Sequence, residues 1–236
     1  MPALHTLSIG DTSNTLSDSI SDIPYPPCQL RSFAVSDARS VEFQSYDWIL
    51  HNSKNSLQIL YMYSILRASQ ASLLRAIPHL GAALREFRCL GCWGSEIVLS
   101  VLQHCHKLEA LACCDGPDIL HELANAACAK TLRRFTATKV RRTVTIRPSG
   151  YVLDEYNGVV IRFWCSDELA AMRQMVQRHA LPQLEEWNLQ TWAKGRLVNV
   201  PMDELTALKD ECDRQGVVFG FARYDEVRWI DPARVR

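Results

Sequence analysis

Large apolar residues recur along the chain in triplets whose second and third members follow the first by three and five positions. Eight such triplets succeed one another, and their first members lie 24 to 27 residues apart. They are Leu4/Leu7/Ile9, Leu30/Phe33/Val35, Leu57/Leu60/Met62, Leu84/Phe87/Cys89, Leu108/Leu111/Cys113, Leu132/Phe135/Ala137, Gly158/Ile161/Phe163 and Leu184/Trp187/Leu189. A single triplet is expected by chance in a chain with 47% apolar residues, but eight at a near-constant interval indicate a structural repeat.

Each repeat combines a strand with a helix. Side chains alternate along a strand, so the fourth and sixth positions of a unit point inward and the third, fifth and seventh point the other way. Between triplets, Val98, Val101 and Leu102 share one face of a predicted helix. Similar spacing occurs at Leu120/Leu123, Leu169/Met172/Val176 and Leu205/Leu208/Cys212. The predicted unit is therefore strand, turn, helix, turn.

These units predict a single α/β solenoid over residues 1–236, with about eight or nine divergent repeats. Neither the strand nor the helix of one unit can bury its apolar side alone, so successive units must stack. Strands stack about 4.8 Å apart, whereas helices need roughly 8 to 10 Å. We therefore expect a curved horseshoe with a parallel β-sheet on the concave face and helices on the convex face.

Two stretches depart from the repeat. Residues 139–157 have no helical pattern; Thr143–Ile146 alternates like a strand, and Pro148–Gly150 predicts a turn. We expect an irregular insertion there, with a hairpin as its simplest form. Residues 11–29 are rich in Ser, Thr, Asp and Pro and should be mostly loop.

Composition narrows the classes of partner. Lys plus Arg and Asp plus Glu are equal at 26 each, so no net field draws the chain towards nucleic acid or a membrane surface. The sequence has neither a signal-peptide pattern nor a run of about 18 apolar residues. Nine cysteines and no Asn-x-Ser/Thr acceptor are typical of reduced thiols in the cytoplasm or nucleus.

The central cysteines and histidines allow two interpretations. Closely spaced thiolates and imidazoles can hold zinc, and such residues cluster at Cys89, Cys92, Cys113–Cys114 and His104–His106. The simpler interpretation is that Cys89, Cys105 and Cys113 occupy buried repeat positions, where a thiol acts as a small hydrophobe. Because nucleophile, phosphate-loop and metalloprotease motifs are also absent from the sequence, we expect no enzyme, cofactor or metal site.

Seven bases without an intervening acid lie between Lys130 and Arg147. Such a run can attract phosphate or an acidic peptide. A solvated face is the simpler interpretation, and nucleic acid is less favoured because exposed aromatic residues are not interleaved with these bases.

The outward positions of the strands predict where a partner would bind. Small residues dominate the first strands, and large ones begin at the third. Tyr, Trp and Arg most often anchor protein interfaces. The predicted contact residues are Tyr61, Tyr63, Arg88, Arg134, Arg162 and Trp164. The alternative is that the two tyrosines only cover their neighbours.

The triplets resemble the Leu-x-x-Leu-x-Leu unit of leucine-rich repeat proteins over about Leu4 to Phe221. Cys105–Leu111 is similar to the Cys-x-x-Leu-x-x-Leu subclass found in F-box proteins, and the ending Leu205–Phe219 looks like that of divergent fungal F-box proteins. At the ninth position only Cys92 keeps the family's Asn or Cys, so irregular turns are expected.

The resemblance implies a non-catalytic protein-binding module, the substrate-binding repeat region of an F-box-type ubiquitin ligase receptor. Its partners would be a protein target on the concave face and, if an F-box lies upstream, the adaptor of a cullin-RING ligase. The F-box itself is not seen in the sequence. The main alternative is a stand-alone repeat scaffold or inhibitor with no ubiquitin role; a metal-binding or catalytic protein is less favoured.

Overall fold

The computed structural model describes residues 4–10, 23–35, 46–63, 67–90, 95–114, 117–139, 142–143, 159–160, 164–191 and 201–223. Strands and helices alternate through these residues. The strands are β1 (Thr6–Ile9), β2 (Ser32–Val35), β3 (Ile59–Tyr63), β4 (Glu86–Leu90), β5 (Ala110–Cys114), β6 (Arg134–Lys139), β7 (Arg142–Thr143), β8 (Val159–Val160), β9 (Glu186–Thr191) and β10 (Val218–Arg223). The helices are α1 (Tyr46–Ile49), α2 (Arg67–Leu80), α3 (Glu96–His104), α4 (Pro117–Asn125), α5 (Ser166–Gln177) and α6 (Met202–Arg214), and a 3₁₀ turn (His51–Ser53) follows α1.

Eight of these strands form one parallel sheet. Its order is β1-β2-β3-β4-β5-β6-β9-β10, so its strands lie side by side in chain order, with β7 and β8 left out. Every pairing in it is parallel. The α/β prediction of a parallel sheet that alternates with helices is therefore confirmed.

The second member of each triplet builds the centre of the core. Six of these side chains lie in register on adjacent strands and are at most 1% exposed: Phe33, Leu60, Phe87, Leu111, Phe135 and Trp187. The last two meet edge to face, with ring centroids 5.2 Å apart. Burying one such side chain stabilises the fold by about 1.5 to 3 kcal/mol, so the recurring triplet is the main source of cohesion between repeats.

The helices form a layer on the same side as these core residues. Each helix contacts the next one along the chain, and each of α3, α5 and α6 buries an apolar stripe. The turn after α2 requires glycine, because a Cβ on Gly81 would lie 2.1 Å from the backbone oxygen of His104. Consecutive repeats are thus packed closely in the helix layer as well as in the sheet.

The seventh triplet, Gly158/Ile161/Phe163, was predicted to form a strand of this sheet, and that prediction is wrong. Strand β6 pairs directly with β9, with Arg134 opposite Glu186, so no strand lies between them. Instead Val159–Val160 pairs antiparallel with Arg142–Thr143. These two short strands form a small separate sheet, while residues 144–158 lie outside the described residues. The eighth strand of the large sheet is β10.

Candidate functional site

The strand positions that alternate with the core residues form a second face of the sheet, which we call the open face. It comprises Ile59, Tyr61, Tyr63, Glu86, Arg88, Leu90, Ala110, Ala112, Cys114, Arg134, Thr136, Thr138, Glu186, Asn188 and Gln190. None of these side chains belongs to the apolar cluster shared by strands and helices. Because the strands are in register, the residues fall into rows that cross the sheet. The open face is therefore where polar and aromatic side chains of different repeats meet.

A carboxylate, Glu86, organises the centre of the open face. The Tyr61 hydroxyl donates a hydrogen bond to Glu86 Oε1 at 2.8 Å, and Arg88 Nε donates to the same oxygen at 2.9 Å. A terminal nitrogen of Arg134 lies 3.6 Å from the other oxygen, Oε2. Residues from β3, β4 and β6 thus converge on one group, which we call the Glu86 cluster (Tyr61, Glu86, Arg88 and Arg134).

The aromatic ring of Tyr61 is also part of this arrangement. The guanidinium carbon of Arg88 lies 4.9 Å from the ring centroid, a cation–π geometry. Burial raises the pKa of Tyr61 to about 12; the charge of Arg88 opposes this rise, and the charge and hydrogen bond of Glu86 add to it. The hydroxyl therefore remains a protonated donor at physiological pH, and the cluster keeps one hydrogen-bond pattern.

Exposure differs between members of the cluster. The side chains of Glu86, Arg88 and Arg134 are 14%, 25% and 50% exposed. Arg134 is also the most weakly held member, since its 3.6 Å contact is longer than a hydrogen bond. An approaching molecule would meet Arg134 first, on a base formed by Tyr61, Glu86 and Arg88.

Small residues and a second carboxylate flank the cluster. Ala110 and Ala112 lie on β5, between the two strands that carry the arginines, and Arg134 reaches Glu86 across that strand. On β9, the Asn188 side-chain nitrogen donates to Glu186 Oε1 at 2.6 Å. The two acids and two bases of this region, Glu86, Glu186, Arg88 and Arg134, cancel in charge. The open face therefore presents a neutral surface with localised charges.

Four predicted contact residues lie on the open face in the same region. Tyr61 and Arg88 are register partners on adjacent strands, and Tyr63 is half-buried at the end of β3. Arg134 also lies on this face, two strands from Arg88. Tyr61 is only 9% exposed, so it supports the surface more than it forms it. Arg162 lies outside the described residues.

The predicted position of Trp164 on a binding surface is wrong. The side chain is 1% exposed and belongs to the apolar core. The prediction assumed that residues 158–164 form a strand of the large sheet, whereas Trp164 precedes the N-cap of α5. Without the strand, the alternation rule has no basis at this position.

Glu86 was missing from the predicted contact residues although it holds the cluster together. The signal was present in the sequence: once the triplets are aligned, Glu86 falls at the third position of its strand, beside Arg88 and one row from Tyr61. An acid at an outward position beside an arginine and a tyrosine indicates a hydrogen-bonded centre.

Two members of the basic run are paired with acids. Arg133 Nε donates to Glu185 Oε1 at 3.0 Å, and Arg134 approaches Glu86. Of the other bases, Arg141 and Arg147 lie outside the described residues. These two pairs reduce the positive field at the start of the run and agree with the interpretation of a solvated face there.

The buried cysteines have the environment of structural thiols, whereas Cys165 is exposed. Cys89, Cys105, Cys113 and Cys128 are at most 2% exposed. Burial raises the pKa of Cys105 to about 12 and that of Cys128 to about 11. Their thiols therefore stay protonated at physiological pH, where the thiolate is the reactive form. In the described part of the chain, no group of three or more potential ligands is placed to hold a metal ion.

Comparisons with known proteins place the chain in no family: no family model matches it, and no curated protein matches it significantly. Among the helices of the described residues, none has the length and apolar character that crossing a membrane requires.

Proposed function

We propose that the chain is a non-catalytic recognition module that binds a protein target on the open face. The Glu86 cluster is the observation that carries this proposal. It places an aromatic ring and two guanidinium groups at the centre of a sheet face that is separate from the core. Arg is, with Trp and Tyr, among the residues most enriched at positions that dominate binding energy at protein interfaces, and the Tyr61 ring supports Arg88 in that role.

The cluster is ordered before any partner arrives. Immobilising a flexible side chain on binding costs about 0.5 to 1.5 kcal/mol. Arg88 is already held by Glu86 and by the Tyr61 ring, so most of this cost is met during folding. Arg134 has the freedom to turn from Glu86 towards a carboxylate or carbonyl of the target.

The charge balance of the face favours a protein target over a polyanion. Its acids and bases cancel, whereas nucleic-acid sites depend on an excess of Lys and Arg. Ala110 and Ala112 are buried on the strand between the two arginines, so Arg88 and Arg134 are the side chains that a target would contact in this region.

We further propose that the fold is a leucine-rich-repeat solenoid, curved with the sheet on its concave side. The near-constant interval of the triplets and the single parallel sheet with a helix layer support this proposal. Curvature follows from the different spacing of strands and helices. The open face would then be the concave face.

The finer proposal is that this module receives substrates for an F-box-type ubiquitin ligase. It rests on the resemblance of Cys105–Leu111 and of the C-terminal repeat to F-box proteins. Co-capture of a cullin-RING adaptor with the natural full-length product would support it. Capture of a target without the adaptor would favour the stand-alone scaffold or inhibitor instead.

Charge reversal at two adjacent arginines tests the binding face. Arg133 and Arg134 are about equally exposed, and each lies beside one glutamate, but only Arg134 is on the open face. The tagged protein and both variants are used for quantitative affinity capture from native lysate. We expect Arg134→Glu to reduce the recovery of the target about tenfold or more, a loss of about 1.4 kcal/mol or more, and Arg133→Glu to leave it within about twofold.

Arg133→Glu should unfold within a few degrees of wild type, because its lost pair is exposed on both sides. Arg134→Glu should unfold at a somewhat lower temperature, because Glu86 is only 14% exposed and gains a like charge beside it. The capture is therefore carried out below the unfolding temperature of both variants. Equal recovery of the target by Arg134→Glu and wild type would contradict the proposed binding face.

A further inference from the structure

The segment Ile23–Pro27, with the sequence Ile-Pro-Tyr-Pro-Pro, is restricted to an extended form by its own residues. Each proline fixes its φ near −65°. Ile23, Tyr25 and Pro26 each precede a proline, which disfavours the helical region and favours polyproline II. All five residues are therefore biased towards the same left-handed helix of three residues per turn.

Hydrogen bonds attach this segment to the repeat body at a three-residue interval. The indole Nε1 of Trp48 donates to the backbone oxygen of Ile23 at 3.0 Å. The side-chain nitrogen of Asn52 donates to the backbone oxygen of Pro26 at 2.7 Å. Carbonyl groups three residues apart point to the same side in polyproline II, so these bonds are those expected for that conformation.

The opposite side of the segment faces solvent. Pro24 and Pro27 are both exposed and are also three residues apart. The Tyr25 ring stacks on His51, with centroids 3.6 Å apart and planes within 7°, yet the residue stays 53% exposed. The segment thus offers two proline rings and one positioned aromatic ring to a partner.

The helix that anchors the segment is itself fixed. Asp47, next to Trp48, accepts a hydrogen bond from Ser72 Oγ at 2.8 Å and one from Arg75 Nε at 3.2 Å. These contacts join α1 to α2. The helix that carries Trp48 is therefore itself hydrogen-bonded to the next repeat.

We propose that Ile23–Pro27 is a preorganised ligand for a domain that reads polyproline II through an aromatic-lined groove, as SH3, WW and EVH1 domains do. Strand addition does not suit this segment, because its three prolines have no N–H to donate to a sheet. Pro24 and Pro27 have the Pro-x-x-Pro spacing that such grooves accept. This interaction uses a different surface from the open face and is independent of the proposed target.

Titration of the full chain with a panel of purified SH3, WW and EVH1 domains tests the proposal, with affinities measured by calorimetry. We expect at least one domain to bind wild type. The double variant Pro24→Ala/Pro27→Ala should lose affinity about tenfold or more, because both outward rings are removed while both anchoring carbonyls remain. Pro182→Ala, at an exposed proline after α5, is the matched control and should bind like wild type.

A second variant tests whether binding depends on the ordered conformation of the segment as well as on its sequence. Trp48→Phe keeps an aromatic ring but removes the donor to Ile23, so the segment is less ordered; we expect roughly threefold weaker binding. A free peptide of residues 20–30 should also bind more weakly than the folded chain. Lack of binding by every domain of the panel, or equal binding by wild type and the double-proline variant, would overturn the proposal.

Discussion

Helices α5 and α6 end in the same backbone motif but have different residues at its left-handed position. After α6, Gly216 has a φ of 73°, and the N–H of Val217 donates to Cys212. After α5, His179 has a φ of 50°, and the N–H of Ala180 donates to Met175. Both endings are Schellman motifs, in which a left-handed residue satisfies the last carbonyls. Glycine adopts that conformation freely, whereas histidine is strained there.

Replacing His179 by glycine should stabilise the fold. Relief of the left-handed strain is worth about 1 to 2 kcal/mol, and the added freedom of the unfolded chain offsets about 0.4 to 1 kcal/mol of it. His179 is exposed, so little packing is lost. We expect a net gain of about 0.5 to 1 kcal/mol in urea unfolding. Ala171→Gly, at an exposed position inside the same helix, should instead lose about 1 kcal/mol. A loss of stability for His179→Gly would refute the strain argument.

At this scale the sequence predicts part of the candidate site. Alternation along a strand placed Tyr61, Arg88 and Arg134 on one face, because that rule depends only on local geometry. It did not predict that Glu86 joins them, since their contacts depend on the register between strands. Trp164 was misassigned for a related reason, as the rule was applied where no strand of the large sheet exists.

At the scale of elements, α5 and α6 meet through a buried carboxylate. Glu211 is 2% exposed and accepts hydrogen bonds from Gln177 on α5, at 3.1 Å, and from Gln215, at 3.2 Å. Arg214 also donates to it. Burial acts to raise the pKa of Glu211, but the hydrogen bonds from Gln215, Gln177 and Arg214 outweigh it and keep the pKa below its usual value. The charged form of Glu211 therefore stabilises this helix pair.

This contact predicts a pH dependence of stability. A depressed pKa in the folded state contributes stability that is present above the unfolded pKa, near 4.5, and is lost as the pH falls through the folded value. Glu211→Gln should therefore be less stable than wild type at pH 7, and the difference should shrink below about pH 4.5. The measurement is the free energy of unfolding of both proteins from pH 7 to pH 3.

Asp213→Asn is the control, because it removes a carboxylate of the same helix whose partner Lys209 is exposed. Its free energy of unfolding should differ little from that of wild type at every pH between 7 and 3. If the difference in free energy of unfolding between Glu211→Gln and wild type stays constant with pH, the role of the charged carboxylate is contradicted.

Elements were predictable where the repeat is regular. The helical spacing of Leu169/Met172/Val176 and of Leu205/Leu208/Cys212 corresponds to the buried stripes of α5 and α6. The prediction of the seventh strand failed because an apolar triplet fixes neither the pairing partner nor the direction of a strand. Pairing of β6 with β9 buries Phe135 against Trp187, whereas the weaker Gly158 triplet offers a smaller apolar surface.

At the scale of the whole molecule, the apolar triplets divide the sheet into two faces with separate roles. One face joins the helices through side chains such as Phe87 and Phe135 and holds the repeats together. The other collects Glu86, Arg88 and Arg134 from separate repeats into one cluster. A surface assembled across several repeats exists only when the whole stack is folded, so we expect recognition to be lost when the sheet is truncated.

Site-specific photo-crosslinking tests the central proposal, that the open face binds the target. A photoreactive amino acid is placed either at Thr136, half-exposed on the open face, or at Gln174, exposed on α5 in the helix layer. The target recovered by affinity capture is then added, and covalent adducts are measured by mass spectrometry. We predict adducts from position 136 and few or none from position 174. Adducts from position 174 without any from position 136 would contradict the account.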